Sequence, residues 1–375
     1  MDALTIANRL SDQVLRPLKA TFVGKEEIID LMGVALAGGE NLFLHGPPGT
    51  AKSALVNELA KRLETRSFDY LLTRFTEPSE LFGPFDIRKL REGDLVTNTE
   101  GMLPEADFIF LDELLNANSA ILNSLLLVLN ERIFRRGRET RKLPALMVVG
   151  ASNHLPEEEG LRALFDRFLL RVHCGYVQEK ELSAVIEAGW ELEKNHRKPA
   201  AVCGLTALDI RLLQEFLPTV DLTEVRPAYL ALISRLRVGG IEVSDRRAVK
   251  LQRVIAASAL MCGRLTARVS DLWVLRYIWD REEQRELLSA MVQEALSKEI
   301  PESADHPQAF GAAAPDPEAL ARDLELMETN WDDSTLGVIK DQLSALAARI
   351  PWVPQAEARA ALQEQIENLW RRAGA

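Results

Sequence analysis

The sequence predicts an α/β domain with a parallel sheet covered by helices on both faces, followed by an all-α domain and a C-terminal helical module. Three observations predict it. Short apolar runs alternate with helix-patterned segments up to about residue 175, and from about 178 to 280 every segment has helical spacing. Beyond a Pro/Ala/Gly-rich stretch, PESADHPQAFGAAAPDP at 301–317, apolar residues again recur at helical intervals. The 375 residues suffice for two or three domains with a sizeable core.

Taken in order, the strands are expected at 41–45, 69–75 (DYLLTRF), 107–111 (DFIFL), 145–151 (ALMVVGA) and 168–173 (FLLRVH). Helices at 52–64 and 119–133 (SAILNSLLLVLNERI) lie between them, the alternation that makes strands parallel. Two segments break the rhythm: 82–103 reads as a hairpin-like insertion, and the basic 133–144 as a second hairpin. The helical region breaks near 198–204, Pro218, and Gly239 with Gly240. A charged amphipathic helix follows at 282–299, then the linker at 301–317, then helices at 318–348 and 355–372 parted by Pro351 and Pro354. These give domains at 1–178, 179–281 and 282–375. In the last, Leu320, Leu324 and Met327, like Leu343, Leu346 and Ile350, are spaced to bury against one another, with Trp331, Trp352 and Trp370 nearby.

Composition narrows the function. With 47% hydrophobic and 27% charged residues the chain reads as globular, and a net charge of −11 argues against wholesale nucleic-acid binding. No apolar run approaches the roughly 18 residues of a membrane span. MDALTIANRL has no basic stretch before an apolar core, so no secretion signal is expected. Three scattered cysteines (Cys174, Cys203, Cys262) suit a reducing compartment, and the expectation is a cytoplasmic protein.

The chemistry concentrates in NLFLHGPPGTAKSALVNEL at 41–59. A strand runs into Gly46, Pro47, Pro48, Gly49, Thr50, Ala51, Lys52, Ser53 and Ala54, and a helix opens there. Such a loop cradles phosphates: glycines permit the turn, a lysine reaches the β/γ-phosphates and a hydroxyl meets Mg²⁺. The usual pattern has glycine where Ala51 stands. Its methyl is tolerable at negative φ, as expected in a first helical turn.

In DFIFLDELLN, Asp112 and Glu113 end an apolar strand, where ligands of open parallel sheets bind. Asp112 can hold Mg²⁺ through water beside Ser53, and Glu113 can polarise the attacking water. The competing reading is a solvated pair capping the next helix. Asn153 could orient the same water or merely form a turn. Arg167 in LFDRF suits a guanidinium supplied across a subunit boundary, or a surface pair with Asp166. Arg246, behind the Ser/Asp cap of EVSDRRAVK, could reach back to the phosphates; Arg247 is its alternative.

Together with FVG at 22–24, GPPGTAKS, FIFLDE, ASN at 151–153, DRF at 166–168 and S-D-R at 244–246, the sequence resembles the MoxR family of AAA+ ATPases over roughly residues 5–280. DYLLTRFTEPSELFGP and SDRRAVKLQRVIAASALMCGR look like its RavA-type branch. The resemblance implies that Lys52 and Ser53 form the first Walker motif, Asp112 and Glu113 the second, Asn153 sensor 1, Arg167 the arginine finger and Arg246 sensor 2. It adds Val23 and Gly24 to the nucleotide contacts. It also implies ATP and Mg²⁺ as cofactors, a homo-oligomeric ring, most often a hexamer, a partner with a von Willebrand factor A domain, and a client protein or complex to remodel. Alanine in GPPGTAKS is then a family habit.

Two departures stand out. Leu115 replaces the asparagine of the family's D-E-I-N-R, removing that amide, and the 301–317 linker is too short for the small β-rich domain of RavA-type proteins. Two rival readings keep the phosphate loop. A nucleic-acid-remodelling ATPase would use the basic run Arg132, Arg135, Arg136, Arg138, Arg141 and Lys142; a nucleotide-gated scaffold would bind ATP with little turnover.

Overall fold

The computed structural model describes residues 2–92, 95–136, 139–156, 159–177, 179–195 and 204–297, positions 299, 302 and 304–311, and beyond these 320, 321, 324, 327, 328, 343, 346, 350 and 356–372. Among the described residues there are seven strands: β1 (Leu42–His45), β2 (Ser67–Leu71), β3 (Phe108–Asp112), β4 (Ile133–Arg136), β5 (Glu139–Lys142), β6 (Met147–Ser152) and β7 (Leu170–His173). Five form one sheet in the order β2-β3-β6-β1-β7, every pairing parallel. All of β1 and β6 is buried, as strands covered on both faces must be. Edge strand β2 instead exposes Ser67, Asp69 and Leu71.

The expected strand at 69–75 is displaced. β2 ends at Leu71 because Thr73 and Thr76 close a turn: Thr76 N–H donates to the Thr73 carbonyl at 3.2 Å, and Thr73 N–H donates to Thr76 Oγ1 at 2.9 Å. Within the core, Phe43 meets the rings of Phe165 and Phe168 edge-on at 4.9 and 5.4 Å. Removing that side chain would cost about 3–5 kcal/mol.

The insertion at 82–103 is a hairpin only in its stem, where Asp86 N–H donates to Val96 O and Asn98 N–H to Pro84 O, both at 2.8 Å. Its tip holds a short helix, Ile87–Arg91, started by the Asp86 carboxylate accepting from Arg88 and Lys89 N–H. The second insertion is the expected hairpin, β4 antiparallel to β5.

Beyond the sheet come helices Leu182–Asn195, Ala207–Phe216, Arg226–Val238 and Asp245–Met261, then the 3-10 segment Val269–Tyr277. Ala207–Phe216 faces back to the sheet domain: Gln214 Nε2 donates to Leu36 O at 2.7 Å and to Leu146 O at 3.3 Å. The helix Gln284–Leu296 was grouped by sequence with the C-terminal module. It buries Leu288, Val292 and Leu296 in the main core beside Val269–Tyr277. The linker stretch is likewise partly docked. His306 stacks on Trp273 at 4.4 Å, Ala309 and Phe310 are buried, and Arg276 donates to the carbonyls of Gln308 and Ala309 at 2.8 Å.

Leu320, Leu324, Leu343, Leu346 and Ile350 bury with Leu362, Ile366 and Leu369 in a second, separate cluster, joined by Met327 and Trp370. Trp331, Trp352 and Cys203 lie outside the described residues.

Candidate nucleotide site

Sheet register gathers the site. His45 pairs with Ser152 and His173, and Leu111 with Gly150, so Gly46, Asp112 and Asn153 all leave the sheet at one edge. That edge is the carboxyl end, where open α/β sheets take ligands. A Cβ on Gly46 would lie 2.1 Å from the Cys174 carbonyl oxygen, so a side chain there would expel backbone. Gly49 has φ +79, with open space around its Cα. Residues 174–176 brace the loop: Cys174 Sγ donates to Thr50 O and the Tyr176 hydroxyl to Pro48 O, each at 3.3 Å. The Thr50 hydroxyl donates to Pro47 O at 2.9 Å.

Ala51 departs from expectation. It is the N-cap of Lys52–Arg62 and lies in the left-handed region, φ +64 and ψ 22, rather than at negative φ. That conformation costs a non-glycine residue about 1–2 kcal/mol. Ala51 makes no side-chain capping bond, which leaves first-turn N–H groups for an anion. The buried Lys52 ammonium donates to the carbonyls of Gly46 and Pro47 at 2.7 and 2.9 Å, so its charge lies over the loop. Ala54 is exposed on that first turn. At the loop's flank, Gly24 N–H donates to Glu26 Oε1 at 3.1 Å, and Lys25, next to Val23 and Gly24, donates to Gly175 O at 2.5 Å.

The Ser53 hydroxyl donates to Asp112 Oδ2 at 2.7 Å. These hard oxygen donors, from segments far apart in sequence, fit a Mg²⁺ ion better than any softer metal. The other Asp112 oxygen accepts from Glu113 N–H at 3.0 Å. Glu113 sits at φ +48, a second strained residue beside the loop. Strain held in this way clusters where function over-determines geometry. Leu115, in the family's asparagine position, is buried. Asn116, the next residue, brings its own amide within 3.5 Å of Glu113 Oε2. Asn153 is exposed and its Oδ1 lies 2.8 Å from His154 Nδ1.

The arginines gather elsewhere. Arg167 pairs with Asp166 at 2.9 Å, and Arg246 donates to Asn130 Oδ1 at 3.0 Å. Both line one small pocket with Asn130, Asp166 and Lys250. Arg246, the candidate to reach back to the phosphates, lines this pocket with Arg167. Arg247 is a joint. Its guanidinium meets both oxygens of Asp280 at 3.1 Å and donates to Ile278 O. Fully buried Arg171, in the middle of β7, meets the same Asp280 at 2.6 Å and Phe165 O at 3.1 Å. Burial and the nearby Arg247 lower the Arg171 pKa to about 9. Nothing in FLLRVH marks that arginine except a charge inside an apolar run.

Part of the basic run is engaged within the chain, while Arg135 and Lys142 are exposed. Arg132 has its pKa lowered by burial to about 10, and Arg136 stacks 3.9 Å over Phe85 while donating to Gly83 O. Arg141 is held by Glu139 at 3.2 Å and Glu105 at 3.6 Å.

A profile described as the MoxR domain of MoxR–vWA–β-propeller ternary systems matches residues 8–215, more than half of the chain, and an AAA lid domain profile matches 224–292. The chain belongs to the MoxR family of AAA+ ATPases. Two uncharacterised Methanocaldococcus jannaschii proteins are 36% and 35% identical, over 72% and 76% of this chain and 71% and 74% of their own lengths. The chaperone MoxR1 of Mycobacterium tuberculosis is 27% identical over 47% of each chain. The solved structure of a presumptive ATPase from Cytophaga hutchinsonii superposes with a TM-score of 0.63 at 20% identity, covering 78% of this chain and 95% of its own; that likeness speaks for the fold alone. Among the described residues, no helix is long and apolar enough to cross a membrane.

Proposed function

We propose that this chain hydrolyses ATP with Mg²⁺ in a homo-oligomeric ring, a hexamer by family resemblance, and uses the cycle to remodel or mature a client protein. The observation that carries the reading is the Ser53–Asp112 contact at 2.7 Å beside the Lys52 loop, with Glu113 next in sequence. Lys52 and the loop N–H groups bind phosphate, and Ser53 and Asp112 hold the ion, which neutralises phosphate charge. Glu113, oriented through Asn116, accepts the proton of the attacking water, and Asn153 helps to position that water. Because Arg167 and Arg246 share a pocket, we assign both to a neighbouring subunit's nucleotide.

A partner with a von Willebrand factor A domain is proposed from the systems named in the matched profile. The RavA-type affiliation rests on the sequence likeness alone. We divide the chain into a sheet domain through Phe216, a lid over 224–296 and a C-terminal module around the second apolar cluster. A cytoplasmic setting is proposed from the scattered cysteines.

Phosphate release from Mg·ATP, measured against protein concentration, tests the reading. Wild-type specific activity should rise with concentration, and the Glu113→Gln protein should bind ATP with turnover reduced about 10²–10⁴-fold. Equal function from Glu113→Gln and wild type would leave the scaffold reading standing. The nucleic-acid reading keeps only part of its basic run, because Arg132, Arg136 and Arg141 are engaged within the chain while Arg135 and Lys142 are exposed.

A further inference from the structure

The geometry points to a second, transition-metal site, and we propose that His45, His173 and Glu282 bind one Zn²⁺ that clasps the lid to the sheet. The three side chains come from the ends of β1 and β7 and from the turn before Gln284–Leu296. Their ligand atoms all lie within 4.8 Å of one another, with His173 Nδ1 3.8 Å from Glu282 Oε1. Donors around a tetrahedral ion with bonds of about 2.1 Å stand about 3.4 Å apart, so small side-chain rotations close the site.

An independent observation marks the histidines as waiting for a partner. Nδ1 of His45 and Nδ1 of His173 are both buried without a hydrogen bond, and His45 is only 7% exposed. A buried polar atom left so is costly and calls for an explanation. Burial lowers the pKa of both imidazoles, keeping them in the neutral form that ligates. Two imidazoles and one carboxylate make the three-ligand set that leaves zinc a fourth position. His173 and Glu282 also line a cavity of about 720 Å³, through which an ion and a water could enter.

Arg285 is the competitor. It pairs with Glu282 Oε1 at 3.2 Å, and the ion would have to share that carboxylate or displace the arginine. The site is distinct in chemistry from the Ser53–Asp112 oxygen pair. It exists only while Glu282 is seated against the strands, so bound metal would hold the lid in the position seen here. His45 directly precedes Gly46, which ties the clasp to the stem of the phosphate loop.

The test is calorimetric Zn²⁺ titration of the full-length, chelator-stripped, nucleotide-free protein, alongside His173→Gln and Glu282→Gln, with melting curves for all three. The expected result is one Zn²⁺ per chain, weakened about 100-fold or more by either substitution, since even outer-shell partners are worth about 10–100-fold. Zinc should raise the melting temperature of wild type and leave that of the variants nearly unchanged. Another stoichiometry, or binding indifferent to both substitutions, would overturn the proposal. Should His173→Gln melt abnormally without metal, the half-exposed Glu282→Gln decides the matter alone.

Discussion

The two ends of the candidate nucleotide site are built differently. At the loop end, each group is completed by its own subunit: Lys52 lies on loop carbonyls, Ser53 on Asp112, and Glu113 near Asn116. At the arginine end, Arg167 and Arg246 are drawn together from distant parts of the chain, and among the described residues the guanidinium of each meets one polar side chain, Asp166 or Asn130. Arg167, Arg246, Arg247 and Lys250 line one small pocket against the single carboxylate of Asp166, and like charges so gathered repel. Such an arrangement makes sense where an anion arrives from outside, as phosphate would in a ring. One end is a finished cradle; the other, in the proposed ring, would be half of an interface.

Substitution at Arg167 can break this contrast most sharply. Arg167→Ala should lower turnover by about 10³-fold or more while ATP binding persists, as measured by steady-state phosphate release and nucleotide titration. Mixing it with Lys52→Ala should restore activity, because roughly a quarter of the interfaces in an equal mixture would join an intact loop to an intact arginine. No rescue would place both ends of the site within one subunit. Next in size, Arg246→Ala should reduce turnover by about 10–100-fold without lowering the melting temperature.

Its neighbour should do the reverse. Arg247→Met should destabilise the chain by about 2 kcal/mol, discounted from a fully buried pair because Asp280 is partly exposed, and should show in chemical denaturation. Asn116→Ala sharpens the loop end: about a 10-fold loss of turnover is expected, with ATP affinity retained. The smallest effect is that of Ala51→Gly. Relief of the left-handed strain, offset in part by glycine's greater freedom when unfolded, should raise the melting temperature by roughly 1–3 °C.

The same contrast explains what the sequence disclosed. The cradle is contiguous: strand, turn and helix lie within 41–62, and Asp112 and Glu113 end a plainly apolar strand, so spacing alone located them. The expected parallel sheet was legible for the same local reason in β1, β3 and β6, which are runs of mostly apolar residues, while edge strand β2 (SFDYL) was displaced. The arginine pocket was not legible, because only tertiary packing brings Arg246 to Arg167. Spacing put Arg246 first with Arg247 as its alternative, and it gave no sign that Asp280 would occupy Arg247. Backbone angles were hidden as well: GPPGTAKS gives no sign that Ala51 is left-handed, and DELLN none that the Asn116 amide comes near Glu113. The Gln284–Leu296 helix was misgrouped because its apolar face looks alike whichever core receives it.

Arg246 and Arg247 are consecutive in the first turn of one helix, and this adjacency has a thermodynamic consequence. Arg247 shares Asp280 with Arg171, so the helix start is riveted to the middle of β7, one strand away from the stem of the phosphate loop. Any anion that attracts Arg246 also loads that rivet, and any ligand at the loop that shifts β7 alters what Arg246 can reach. Linkage makes such an exchange equal in both directions. In the proposed ring, each subunit's affinity for nucleotide would then become a function of its neighbour's occupancy.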